Sequence, residues 1–124
     1  YIFTASPSPS VIASTRVALR QLQQRPQLRE QLWRNAHQLY DGLKALGFTV
    51  GPQASPVVAV KLEDRELALR WWPRLLEMGV YVNLVVPPAS PSTCRLLRCS
   101  VSAAHSGDQI RRMLEAFAAL RNDP

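Results

Sequence analysis

"VYVNLVVPPASPSTCRLLRCSVS", residues 80–102, decides the fold. Two runs rich in valine and leucine flank a proline-rich link. In the second run Leu97, Cys99 and Val101 alternate with Arg98, Ser100 and Ser102. Period two marks a strand with one face inside and one outside. The link from Pro87 to Cys94 is too short for a crossover helix and too stiff for a flexible tether. The two strands therefore pair antiparallel, in the manner of a hairpin.

Upstream, "VVAVKLE" at 57–63 reads as a further strand, dense in β-branched residues. Asp64 is placed to cap the next helix, whose apolar face holds Leu67, Trp71, Leu75 and Met78. Pro73 inside this pattern predicts a kink or a later start, and Gly79 ends the helix. Downstream, Ser106 and Gln109 form an S-x-x-Q capping box. It opens a last helix that buries Ile110, Met113, Leu114, Phe117 and Leu120.

Two helices precede the strands. Val11, Ile12, Thr15, Ala18, Leu19 and Leu22 have helical spacing, which Arg25-Pro26 interrupts. Leu28, Leu32, Ala36, Leu39, Leu43 and Leu46 give the second helix, which stops at Gly47. The order helix, helix, strand, helix, strand, strand, helix predicts an α+β fold. Helices cover one face of a small, mostly antiparallel three-stranded sheet. The 124 residues suffice for one domain. Residues 1–50 form an N-terminal segment with two helices, and 51–124 form the α+β sheet subdomain. A start at Tyr1 reads as a piece of a longer chain.

The net charge is +6, and only Lys44 and Lys61 among the 15 basic residues are lysine. The arginines are scattered along helix faces opposite the apolar positions. That is a solvated surface rather than a clustered nucleic-acid footprint. Cys94 and Cys99 match no zinc or disulfide spacing, which fits a reducing, cytoplasmic compartment. No apolar run reaches the roughly 18 residues a membrane span requires.

Few residues carry the pattern of a reactive site. His37 sits on a helix flank, and His105 stands just before a helix start as a structural hydrogen bonder. No metal cluster, P-loop or nucleophile elbow is present. One of Trp71 and Trp72 belongs to the core. Two places are suggestive. Thr4 and Ser6 precede a helix, where hydroxyls and N–H groups suit a phosphate. Arg98 lies on the polar face of its strand, and a guanidinium matches a carboxylate with two parallel donors. The alternative for Arg98 is a surface salt bridge. Arg95, at the strand's start, is expected to be exposed.

"YIFTASPSPSV", "LWRNAHQLYDGLKALGF" and "LLEMGVYVNLVVPPASPSTCRLLRCSVSAAHS" together resemble the C-terminal part of the α-oxoamine synthases. These are pyridoxal-phosphate enzymes of fold type I that join an amino acid to an acyl-CoA with loss of carbon dioxide. The resemblance spans nearly the whole chain and is nearest the serine palmitoyltransferase branch. It implies the small C-terminal domain of a homodimeric enzyme, condensing L-serine with a long-chain acyl-CoA to a 3-keto sphingoid base. Other α-oxoamine synthase activities, or a non-catalytic binding module, are the alternatives.

By the same resemblance, Arg98 binds the substrate carboxylate. Thr4 and Ser6 reach the cofactor phosphate of the neighbouring subunit, and the "VVPPASPST" loop borders the cleft. Two departures stand out: Ala5 where a threonine is often found, and Val86 where the branch often has an arginine. The Schiff-base lysine belongs to a large domain ahead of Tyr1, so the resemblance implies no catalytic residue here and an inactive fragment.

Overall fold

The computed structural model describes residues 2–91 and 94–121. Its elements run α1 (Pro9–Gln24), α2 (Pro26–Ala45), β1 (Val57–Lys61), α3 (Arg65–Glu77), β2 (Asn83–Val85), β3 (Leu96–Ser100) and α4 (Gly107–Arg121). The order is the one the periodicities predict.

The three strands form one sheet in the order β1-β3-β2, antiparallel at both junctions. Register sets the faces. Val58 opposes Cys99 and Val60 opposes Leu97, and all four are buried. Leu84 opposes Leu97 and joins that inner face. The outer face carries a row in which Arg98 stands between Ala59 and Asn83.

Helices α2, α3 and α4 supply the opposing apolar layer. Leu39, Leu43, Leu75, Ile110, Phe117 and Leu120 are almost wholly buried. Phe48 packs edge-on against both Trp71 and Phe117, with centroids 5.9 and 5.5 Å apart. Trp71 is the core member of its pair. Trp72 is half-buried and donates from Nε1 to the Val82 carbonyl at 2.9 Å.

The strands are shorter than the sequence pattern suggests, and the helix ends explain it. Gly79 has φ 78°, its N–H bonds to the Leu76 carbonyl, and the Val80 N–H bonds to that of Leu75. This Schellman closure takes Val80 into the helix terminus, so β2 begins only at Asn83. The same closure ends α2, where Gly47 (φ 79°) and Phe48 bond back to Lys44 and Leu43. At the other end of α3, Asp64 Oδ1 accepts the Leu67 N–H at 2.6 Å. The helix starts there and runs through Pro73 without a break, so the later start is not observed.

Two predicted core positions shift. Met78 is the C-cap of α3 and is 42% exposed, outside the buried core. On α4, Ala116 is buried while Leu114 is half-buried, lying against Gly42 of α2. A larger difference concerns α1. Its apolar residues Val11, Ile12, Val17, Leu19 and Leu22 are all more than half exposed, and no α1 residue is buried. No described helix is long and apolar enough to cross a membrane.

Candidate functional site

Arg98 is exposed at the centre of the outer sheet face. Alternation puts it there: Leu97 and Cys99 on either side point inward and are wholly buried. Its Nη2 donates to Asn83 Oδ1 at 3.1 Å, across the β2–β3 pair. Directly opposed antiparallel residues share a face, so register alone brings these two side chains together. Among the described residues no carboxylate lies within ion-pair distance of Arg98. Arg34 and Arg111, by contrast, pair with Glu30 and with Asp108 and Glu115 on helix surfaces.

Arg98 opens onto a groove of about 540 Å³. Asn83, Tyr81, His105, Gln109 and Arg112 also line it, and among the described residues no acidic one does. The His105 ring is oriented by its own turn. Its Nδ1 accepts the Ser102 N–H at 2.9 Å, which leaves Nε2 to carry the hydrogen of the neutral ring. The α4 start is held by the expected box, with Ser106 N–H on Gln109 Oε1 and Gln109 N–H on Ser106 Oγ. A groove with two guanidinium groups and amide donors suits an anion, above all a planar carboxylate.

Thr4 and Ser6 stand apart from this groove. Both are exposed in the segment ahead of α1, and their hydroxyls make no hydrogen bond among the described residues. The α1 cap is Ser8, whose Oγ accepts the Val11 N–H at 3.3 Å. Lys44 lies over the Tyr40 ring at 5.4 Å, Lys61 is exposed at the end of β1, and neither lines the groove. Arg95 is half-buried rather than exposed. Its carbonyl accepts the Leu62 N–H at 3.0 Å, so the ladder continues past β1. Its Nε is buried with no partner among the described residues. Among the described residues no group of His, Cys, Asp and Glu has the make-up of a metal site.

Residues 1–117 match the family Aminotransferase class I and II. The chain belongs to that family. Serine palmitoyltransferase from Caulobacter vibrioides is 52% identical over 120 residues, which cover 97% of this chain and 30% of that protein. An 8-amino-7-oxononanoate synthase from Trichlorobacter lovleyi is 38% identical over 118 residues, covering 94% and 30%. The fold matches the solved serine palmitoyltransferase from S. paucimobilis with bound PLP–myriocin aldimine. That TM-score is 0.87 at 46% identity, over 97% of this chain and 31% of the other. The chain thus spans about 30% of the length of these relatives.

Within this aminotransferase-family domain, sequence reasoning missed two polar residues: Asn83, which lines the groove, and Asn35, which bonds the corner carrying His105. Asn83 lies in the apolar run of β2, and only the strand register reveals its partner. Asn35 falls between Leu32 and Leu39 on the inward face of α2, at core spacing, and that spacing was a usable signal. Cys99 behaves as the sequence indicates. It is buried, and desolvation pushes its thiol up to about 12.

Proposed function

We propose that this chain is the C-terminal third of an α-oxoamine synthase of the serine palmitoyltransferase type. The whole protein would condense L-serine with a long-chain acyl-CoA, releasing carbon dioxide and free CoA and leaving a 3-keto sphingoid base. One observation carries the reading: an exposed arginine, braced by Asn83, at a groove where it meets no acidic group among the described residues.

In this reading Arg98 holds the amino-acid carboxylate by two parallel hydrogen bonds. Asn83 fixes the guanidinium plane, so the carboxylate has one orientation. Orientation decides the chemistry, because the bond to be broken at the α-carbon must stand perpendicular to the cofactor ring. Pyridoxal 5'-phosphate supplies the electron sink for that bond. The idle hydroxyls of Thr4 and Ser6 suit the phosphate of a cofactor held by the neighbouring subunit of a homodimer. Neither lysine suits the covalent bond to the cofactor, since Lys44 is engaged by Tyr40 at a helix end and Lys61 lies away from the groove. A large domain must provide that lysine, and the fragment alone would be inactive. The bare apolar face of α1 supports the same arrangement, as a surface for that domain and the second subunit. Acyl-CoA as substrate and two free thiols suit a cytoplasmic enzyme.

The test is Arg98→Ala in the full-length protein, with serine titrated against the absorbance of the bound cofactor. Losing a charged, paired hydrogen bond is worth about 1.5–3 kcal/mol, so serine binding should weaken about 10- to 100-fold. Cofactor retention should stay unchanged. Unaltered serine affinity would overturn the assignment.

A further inference from the structure

Asn35 is the buried polar side chain of the described core, at 1% exposure. A buried amide destabilises a fold unless its donors and acceptor are all matched. Here they are. Nδ2 donates to the Ser102 carbonyl at 2.9 Å and to the His105 carbonyl at 2.8 Å, and Oδ1 accepts from Gln31 Nε2 at 2.8 Å. The two carbonyls bracket the corner between β3 and α4. Within that corner the bonds are local: His105 N–H to the Ser102 carbonyl, Ser102 N–H to His105 Nδ1, and Ala104 N–H to Ser102 Oγ. Local bonds shape the corner without fixing where it sits. The Val101 N–H bonds the Pro56 carbonyl at 2.9 Å and ties the β3 side of the corner; beyond it the ties come from α2, through Asn35 and, one turn on, through Gln38 Nε2 to the Gly107 carbonyl at 3.2 Å.

This corner carries His105 and leads into Gln109 and Arg112, the wall that shares the groove with Arg98. We propose that Asn35 is a positioning residue for ligand binding: from the buried face of α2 it sets the place of the His105 wall relative to Arg98. The proposal rests on the reading of the groove as the carboxylate site. Asn35 touches no ligand, and its effect passes through two backbone carbonyls.

The experiment uses the full-length holoenzyme and L-serine, read by the cofactor absorbance change. Asn35→Ala and Asn35→Asp both remove the two donors, and Asp keeps the size. Each should raise the serine dissociation constant about 5-fold or more, the worth of one well-placed hydrogen bond. Amide hydrogen exchange at residues 102–107 should speed up in step. Gln31→Ala removes the bond that orients the amide, along with an exposed bond from Arg34 Nη2 at 2.7 Å, and leaves both Asn35 donors in place. It should shift serine binding the same way by about 2-fold, and it covers the case in which the Asn35 variants fail to fold. Leu39→Ala, a neighbouring core cavity, is the control. It should lower stability and leave serine affinity unchanged.

Unchanged serine affinity in the folded Asn35 variants, or in Gln31→Ala should those fail to fold, would overturn the proposal. Equal weakening by Leu39→Ala would do the same. If Arg98→Ala weakens serine binding and these do not, Asn35 alone is misassigned. If Arg98→Ala has no effect either, the carboxylate site itself falls.

Discussion

Helices α1 and α2 are joined at one residue, Arg25, and both carry an apolar stripe at helical spacing. Helix α2 buries Asn35, Ala36, Leu39, Tyr40 and Leu43 against α4 and the sheet. Helix α1 buries nothing. The difference lies in what stands opposite. Amphipathicity states that a helix has an apolar face, and only the rest of the fold states whether that face is covered. Nothing among the described residues covers α1, and in the proposed enzyme its face would meet the large domain or the second subunit.

The comparison breaks most cleanly at two leucines. Leu39→Ala empties a wholly buried site and should cost about 2–5 kcal/mol in denaturant unfolding of the full-length protein. Leu19→Ala, 56% exposed here, should cost about 2 kcal/mol or more if the proposed enzyme covers its face. A loss below about 0.5 kcal/mol for Leu19→Ala would mean that α1 keeps its apolar face in water.

A smaller effect sharpens the α2 side. A Cβ on Gly42 would come 2.5 Å from Leu114 Cδ1. Gly42→Val should therefore cost about 1–3 kcal/mol by displacing the Leu114 side chain from its place between α2 and α4. Adding Leu114→Ala should return part of that loss, and a purely additive double variant would sink the contact as the cause.

The effect that is smallest at neutral pH concerns the closed side of the sheet. Burial pushes the Cys99 thiol up to about 12, from 9.0 for the free group. Below 9.0 both states keep the proton. Above it the unfolded thiol ionises first, so stability should fall by about 1.4 kcal/mol per pH unit until the native thiol titrates. At about pH 8, Cys99 should resist iodoacetamide in the native protein and react once unfolded. Equal labelling in both states would show that the core is open.

Much of this was legible in the chain. The alternation from Leu97 to Ser102 fixed which side of β3 faces out, because strand geometry allows no other arrangement. Capping residues Asp64, Ser106 and Gln109 and the terminal Gly47 and Gly79 did their predicted jobs, because caps act within a few residues of chain. Arg95 misled the sequence reading: it is half-buried, on a ladder that outlasts β1. Met78 did so too, because helix termination turned it out of the core.

The sequence alone determined the elements, the antiparallel hairpin, the outward Arg98 and the buried Cys99. These follow from short-range sterics and from periodicity. The tertiary structure decided that Asn83 braces Arg98, that Asn35 holds the His105 corner from 70 residues away, and that α1 stays bare. Those facts depend on register across a proline-rich loop and on helix-to-corner contacts. No local pattern encodes the distance between residues that far apart in the chain.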